Sequence, residues 1–204
     1  MSCGKKFFFI SDTHFGYMSD PSPYRRDAYA TAFTGHNFST AKQYTDGLIK
    51  NWNAVVAPYD EVYFLGDVSN YDVQTTNSIL SRLNGIKHLL IGNHDAKFLT
   101  NNAFRDNWAE IKQYKEVPMG DGLFVCLCHY PMLCFNGHYQ GNFHFYGHLH
   151  NSWEETCIQK ARKDLIEGSR NRYPVNMINV GAMMPWMRYT PQTFETLVTE
   201  IRNQ

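Results

Sequence analysis

The 204-residue sequence predicts a mixed α/β fold, and three features of the chain support this. Apolar runs with strand character alternate with segments of helical spacing in the first half. Strand-like runs dominate the second half. Several of these runs end directly before a block of polar residues, as expected where neighbouring strands place side chains at one edge of a sheet.

Four apolar strands are predicted immediately before polar blocks. They are Lys5 to Ile10, Glu61 to Leu65, Ile86 to Ile91 and Leu123 to Cys128. The blocks that follow them are Asp12-Thr13-His14, Gly66-Asp67, Gly92-Asn93-His94-Asp95 and His129. Asp12 and His14 at i and i+2 of extended backbone would leave the same face.

The segments between the blocks also have readable patterns. An apolar stripe predicts a helix from Thr40 to Val56, with Ser39 or Thr40 as its cap, and a second helix is predicted from Asp72 to Leu83. A hairpin is predicted between strands at Glu110 to Val117 and Leu123 to Cys128. The remaining predicted elements are a strand with a packed His144 at Asn142 to Tyr146, a strand at Val175 to Val180 and a helix at Thr193 to Ile201.

Composition predicts one domain over residues 1–204 and excludes several classes of protein. The 19 basic residues equal the 19 acidic ones, so no global field favours stable nucleic-acid binding, and the basic stretch from Lys160 to Arg172 is interpreted as a solvated helix face. No run is long enough for a membrane span or a secretory signal. Five irregularly spaced cysteines indicate reduced thiols and a cytoplasmic location.

The polar blocks form a ligand inventory for two divalent metal ions. The blocks supply carboxylate, amide and imidazole groups but no thiolates, which argues against a structural zinc site. The imidazoles argue against calcium, whose ligands are oxygen atoms. Asp67 is the candidate for a carboxylate that bridges the ions. The predicted metal ligands are Asp12, His14, Asp67, Asn93, His129, and His148 and His150 of Gly147-His148-Leu149-His150.

Each block alone also has an ordinary structural interpretation. Asp12 and His14 could form a loop before a helix, Gly66-Asp67 is a common turn, and Asn93 or Asp95 could cap a helix. His148 and His150 could be one face of a strand. The ordered conjunction of all five blocks favours the metal site over these alternatives.

In this order the blocks resemble the motifs of the calcineurin-like metallophosphoesterases. The resemblance implies two packed mixed β-sheets flanked by helices, the four-layer fold of that family, with a dinuclear site at one edge. It also implies that Asp12, His14, Asp67 and His150 hold one metal, and that Asp67, Asn93, His129 and His148 hold the other. The chain departs from the family at Asn70, where many members carry a charged residue.

The resemblance further implies the chemistry. A hydroxide between the two metal ions would attack phosphorus, and His94, oriented by Asp95, would assist as an acid or by stabilising charge. Manganese is the favoured metal, with iron, zinc and nickel as alternatives. From the residues themselves, Asn93, His138 and Arg26 are the candidate substrate-binding residues. For Arg26, in the loop-like stretch from Gly16 to Thr40, a solvated surface position is the favoured alternative.

Three functions remain open at this point. The first is hydrolysis of a phosphodiester, small or nucleotide-like, and the second is hydrolysis of a phosphomonoester on a metabolite or phosphoprotein. The third is a non-catalytic binding module that uses its metal site for recognition. Sequence alone leaves the substrate and the oligomeric state undetermined.

Overall fold

A computed structural model of the protein describes residues 4–17, 38 and 40–203. Within these residues the chain forms two mixed β-sheets flanked by helices, which confirms the predicted fold class. The first sheet has the strand order β4-β3-β2-β1-β9 and contains β1 (Phe7–Ile10), β2 (Glu61–Phe64), β3 (Ile86–Leu90), β4 (Glu110–Lys112) and β9 (Gln192–Thr193). The second has the order β5-β6-β7-β8 and contains β5 (Tyr114–Gly120), β6 (Leu123–Cys128), β7 (Phe143–Tyr146) and β8 (Asn176–Asn179).

Five helices flank the sheets in the described part of the chain. They are α1 (Ala41–Val55), α2 (Val73–Leu80), α3 (Asn102–Arg105), α4 (Trp153–Gly168) and α5 (Phe194–Asn203). The first two begin where the sequence predicts, because the side chains of Thr40 and Asp72 accept hydrogen bonds from backbone N–H groups of the first turn. Helix α4 is capped in the same way by Ser152.

Aromatic side chains fill the space between the sheets. Phe9 of β1 meets Phe145 of β7 edge to face, with ring centroids 4.9 Å apart. On the other side of the first sheet, the buried Trp52 of α1 packs 6.0 Å from Phe64 of β2. On the far side of the second sheet, α4 contacts β7 through a hydrogen bond from Tyr146 to Glu155. The layers are therefore helix, sheet, sheet and helix.

The prediction of one strand from Glu110 to Val117 is wrong. The chain bends at Gln113, so β4 pairs with β3 in the first sheet and β5 pairs with β6 in the second. A continuous strand could not form both ladders, because the sheets are separate layers. The bend carries the chain from one sheet to the other.

Parallel pairing sets the position of the candidate site. Strands β1 to β4 are mutually parallel, and so are β6, β7 and β8, so their carboxyl ends lie at common edges. A parallel bridge between Ser11 and Gly181 connects the end of β1 to the end of β8. The two edges are thereby joined, and the polar blocks of both sheets meet there.

None of the helices in the described ranges combines the length and apolar character needed to cross a membrane.

Candidate metal centre

Two clusters of side chains at the joined sheet edges could each hold a metal ion. We call Asp12, His14 and His150 the first group, and Asp67, His129 and His148 the second group. Within each group, one potential ligand atom per residue lies within 4.8 Å of the others. The groups draw on the segments after β1, β2, β6 and β7. Six of the seven predicted metal ligands are thus brought together by the fold.

The carboxylate of Asp67 lies between the two groups. Its Oδ2 atom is 3.6 Å from Nε2 of His14 in the first group and 3.6 Å from Nε2 of His129 in the second. Asp67 is 1% exposed, so its carboxylate faces these imidazoles rather than solvent. This is the position that a carboxylate shared by two cations requires.

Asn93, the seventh predicted ligand, completes the second group. Its Oδ1 atom is 2.9 Å from Nε2 of His129 and 2.9 Å from Nδ1 of His148. The other ring nitrogen of His129 donates to the carbonyl of Leu65 over 2.6 Å, so in the neutral ring Nε2 carries a lone pair directed at the Asn93 oxygen. Such facing acceptors fit a shared cation, because neighbouring ligand atoms each about 2.1 Å from one ion lie about 3.0–3.4 Å apart, depending on the coordination geometry.

The first group shows the same donor spacing. Nε2 of His14 is 3.3 Å from Nε2 of His150, and Nε2 of His150 is 3.4 Å from Oδ1 of Asp12. Nδ1 of His14 is 3.4 Å from Oδ1 of Asn70, which can hold the ring so that Nε2 faces the cluster. Asn70, the departure from the family pattern, therefore contacts a candidate metal ligand.

The backbone of the candidate ligands is not extended, and the expectation for Asp12 and His14 is wrong in this respect. Positive φ angles occur at Asp12 (52°), His14 (38°), Asp67 (57°), His148 (71°) and His150 (54°). For a residue with a side chain, this left-handed backbone conformation is unfavourable by on the order of 1–2 kcal/mol. Strain concentrated at five ligand positions is typical of a functional site whose geometry is imposed by its surroundings.

Two glycines allow the blocks to approach each other closely. A Cβ atom at Gly92 would lie 2.3 Å from Oδ1 of Asp67, and one at Gly147 would lie 2.3 Å from Oδ2 of Asp12. A side chain at either position would push a candidate metal ligand out of place.

Burial controls the charges of the site. Burial lowers the pKa of His14 to about 4 and also lowers the pKa of His148. Both rings are therefore neutral near pH 7, which is the form that binds metals. Burial raises the pKa of Asp67, and the charge of Asp12 adds to this effect. Burial also acts to raise the pKa of Asp12, but the hydrogen bond from His150 and the electrostatic influence of the neighbouring histidines together outweigh it and hold the pKa well below its usual range.

His94 stands at the open side of the centre. Its side chain is 55% exposed, and its Nε2 atom lies 3.9 Å from Oδ2 of Asp67. Its backbone N–H donates to Oδ1 of Asp67 over 2.8 Å. His94 is thus attached to the central carboxylate while its ring remains accessible to a ligand.

Asp95 has a different environment from the one expected. The described hydrogen bonds include none between Asp95 and the ring of His94. Both Asp95 oxygens are used by backbone N–H groups, those of Asp67 and Gly92 on one oxygen and that of Val68 on the other. Burial raises the pKa of Asp95 to about 6, although these N–H groups act in the opposite direction. Its contacts are those of a residue that shapes the Asp67 turn.

One of the remaining predicted substrate contacts, His138, does not join the centre. His138 belongs to a short 3₁₀ helix, His138–Gln140, where Nδ1 donates to the carbonyl of Phe135 and the ring packs against Phe135 and Tyr139. No contact between His138 and the two groups occurs in the described ranges. Arg26 lies outside the described residues.

Two features near the centre were missed in the sequence. Tyr130 directly follows His129, and its 45% exposed ring lies 4.8 Å from the ring of His148. Asn179 is fully buried at the end of β8 and donates to the carbonyl of His150. The signal for Asn179 was present, since it is also a polar residue at the carboxyl end of an apolar strand.

Comparisons with known proteins identify similar sequences and a similar structure. The family model for calcineurin-like phosphoesterases matches residues 5–180. An uncharacterised protein of Methanocaldococcus jannaschii is 37% identical over 93 residues, which are 45% of this chain and 47% of that protein. The match therefore spans about half the length of this relative.

A crystal structure shares the fold. It is that of a protein of unknown function from Aquifex aeolicus, with a TM-score of 0.63 and 22% identity. The similarity covers 96% of this chain and 99% of that one. At this level of identity it supports the architecture alone.

Proposed function

The chain belongs to the calcineurin-like phosphoesterase family, and from this premise we propose that it is a metal-dependent phosphodiesterase with two divalent ions. The observation that carries the proposal is the position of Asp67, whose Oδ2 atom is 3.6 Å from an imidazole of each group. A buried carboxylate between two sets of imidazole-containing donors is suited to two cations.

The donor set supports the assignment of the ions. Asp12, His14 and His150 would hold one ion, Asn93, His129 and His148 the other, and Asp67 both. Mixed oxygen and imidazole donors without thiolate favour manganese, with iron, zinc or nickel as alternatives. When bound, two such ions lower the pKa of a coordinated water and neutralise charge on the phosphoryl oxygens.

His94 is proposed as the catalytic acid. Its ring is more than half exposed, so a phosphoester can reach it, and its backbone is hydrogen-bonded to the central carboxylate. Protonated, its imidazole can donate to the leaving alkoxide or to a phosphoryl oxygen. This role requires hydrogen-bond contact with the bound ester, which the open position of the ring permits.

Access to the centre favours a diester over a monoester. A diester carries a substituent on each side of phosphorus, and the side chains of His94 and Tyr130 are both exposed beside the second group. The exposed ring of Tyr130 could stack on an aromatic substituent, such as a nucleobase. We therefore include nucleotide-like diesters in the proposed substrate class.

A cytoplasmic location belongs to the same proposal. Cys126, Cys128, Cys134 and Cys157 are free thiols, and reduced cysteines are typical of reducing compartments.

The function is tested with chelator-treated protein. Hydrolysis of bis(4-nitrophenyl) phosphate and of 4-nitrophenyl phosphate is measured after addition of Mn²⁺, Ni²⁺, Zn²⁺ or Mg²⁺, and bound metal is counted in parallel. We expect metal-dependent cleavage of the diester at about two ions per chain. Faster cleavage of the monoester would instead favour a phosphatase, and two bound ions without cleavage of either ester would favour a recognition module.

A further inference from the structure

Asn179 connects the first metal group to a buried polar cluster on α4. Its Nδ2 atom donates to the backbone carbonyl of His150 over 3.2 Å and to Oε2 of Glu155 over 3.0 Å. Its Oδ1 atom accepts the N–H of Gly181 over 2.8 Å. Each polar atom of the Asn179 side chain therefore has a fixed partner.

These partners determine the orientation of the Asn179 amide. Rotation by half a turn would direct the NH₂ group at the N–H of Gly181 and the oxygen at the carboxylate of Glu155. Both contacts would be repulsive. The side chain is also fully buried, so water cannot replace the lost hydrogen bonds.

The second carboxylate oxygen of Glu155 is also fixed by hydrogen bonds. Its Oε1 atom accepts hydrogen bonds from the hydroxyl of Tyr146 and from Nε2 of Gln159, each over 2.8 Å. Tyr146 lies on β7 and Gln159 on α4, so the carboxylate joins a strand to a helix. A buried carboxylate with three donors is a rigid support.

His150 requires such a support. It has a φ of 54°, a conformation that is uncommon for residues with a side chain, and its ring must face Asp12 and His14. The hydrogen bond from Asn179 fixes the peptide carbonyl of His150. Gly181, the other partner of Asn179, lies against the first group as well, since a Cβ atom there would be 3.3 Å from Oδ2 of Asp12.

We propose that Asn179 is a positioning residue for a divalent cation in the first metal group, where it holds the backbone of His150 and is itself held by Glu155. The inference rests on the proposed role of His150 as a metal ligand. It predicts that loss of the Asn179 side chain weakens the binding of one ion and spares the other.

The test compares Asn179→Ala with Asn176→Ala. Asn176 is a matched control, because it lies on the same strand but uses its Nδ2 atom for a single hydrogen bond to the carbonyl of Gly141. Mn²⁺ binding to chelator-treated protein is measured by calorimetry, and the spin coupling of the two ions by electron paramagnetic resonance. Circular dichroism of the metal-free proteins reports on folding.

We expect wild type and Asn176→Ala to bind two ions. Asn179→Ala should bind one ion with unchanged affinity and the other about 10–100-fold more weakly, the range for loss of an outer hydrogen-bond partner of a metal ligand. The electron paramagnetic resonance signal of two coupled Mn²⁺ ions should decrease, because fewer chains hold both ions. Unchanged binding of both ions, or equal weakening of both, would overturn the proposal. Failure of wild type to bind Mn²⁺ would overturn the proposed function as well.

Glu155→Gln supplies a second variant if Asn179→Ala does not fold. The amide of this variant retains an oxygen that accepts from Tyr146 and Gln159. Its NH₂ group then faces the NH₂ group of Asn179, and the two cannot form a hydrogen bond. We expect the same selective weakening of one ion, smaller in size. Wild-type binding of both ions by this variant would contradict the role of the Glu155–Asn179 pair.

Discussion

The carboxylate of Asp95 accepts the backbone N–H of Asp67 over 3.0 Å, although the two residues are 28 positions apart in the sequence. The same carboxylate accepts the N–H groups of Val68 and Gly92. It thereby joins the loops that follow β2 and β3. Because Asp67 lies between the two metal groups, Asp95 fixes the backbone from which the shared ligand projects.

Replacement of Asp95 should reduce stability even without metal. In Asp95→Asn one oxygen becomes an NH₂ group that cannot accept a backbone hydrogen, so at least one buried N–H loses its partner, at a cost of about 1–3 kcal/mol. Asp95→Ala should cost more, because all three N–H groups lose their acceptor. The free energy of unfolding, measured by urea denaturation with a chelator present, checks this. The exposed Asp106→Asn is the control, and equal stability of the Asp95 and Asp106 variants would refute the prediction.

Asp67→Asn should weaken the binding of both metal ions. The amide removes the negative charge that faces His14 and His129 at 3.6 Å each, and its NH₂ group cannot bind a cation. The loss should exceed the roughly 10–100-fold effect of outer hydrogen-bond partners. Calorimetric titration with Mn²⁺ measures both affinities. Asp121→Asn, at a turn with a φ of 52° that Asn tolerates, is the control, and weakening of only one ion would contradict a shared ligand.

His94→Gln should separate turnover from metal binding. The side chain is exposed and belongs to neither metal group, so two ions should remain bound. Loss of its proton transfer should lower kcat about 10²–10⁴-fold. Bound metal and diester hydrolysis are measured on the same preparation. His138→Gln should behave as wild type, and a comparable loss of kcat in that variant would restore His138 as a substrate contact.

The sheet edge at which the candidate site lies was predictable from the sequence, because the direction of the strands alone determines it. Apolar runs before Asp12, Asp67, Asn93 and His129 identify strands, and parallel strands place their carboxyl ends together. The set of candidate ligands follows from this rule and from ligand chemistry, whereas their division between two ions was implied by the resemblance to the family. The same rule applied to the strand that ends at Asn179 would have included that residue.

Side-chain partners could not be predicted, because they depend on distances between loops. Asp95 is adjacent to His94 in sequence, yet its carboxylate is directed at three backbone N–H groups of other turns. The left-handed backbone of the ligands is likewise imposed by tertiary contacts against local preference. The bend at Gln113 had no local signal, since both halves of the segment have strand character.

The buried His144 should make stability depend on pH. Its Nδ1 atom donates to the carbonyl of Cys126 over 2.9 Å, its Nε2 atom accepts the N–H of Met132 over 3.0 Å, and burial lowers its pKa from 6.5 to about 4. Between these pH values the unfolded chain binds a proton that the folded protein does not. The free energy of unfolding should therefore fall as the pH decreases through this window, by up to about 3 kcal/mol.

Comparison with His144→Phe isolates this contribution from other titrating groups. The variant loses two hydrogen bonds and should be less stable than wild type at pH 7, but it has no imidazole to protonate. Urea denaturation at pH values from about 7 to about 4 should show a smaller decrease in the variant than in wild type. Parallel curves for the two proteins would show that folding does not lower the pKa of His144.

Tyr130→Ala should raise KM selectively for diesters with an aromatic substituent. The Tyr130 ring lies 5.0 Å from the ring of His129 and 4.8 Å from that of His148, and is 45% exposed. Stacking of a base on such a ring contributes about 1–3 kcal/mol, so KM for thymidine 5′-(4-nitrophenyl) phosphate should rise about 5–150-fold. KM for methyl 4-nitrophenyl phosphate should change little, and Tyr130→Phe should retain the wild-type preference because it keeps the ring. Tyr139→Ala, another exposed tyrosine, is the control. An equal rise for both esters would show that Tyr130 shapes the centre rather than recognising an aromatic group.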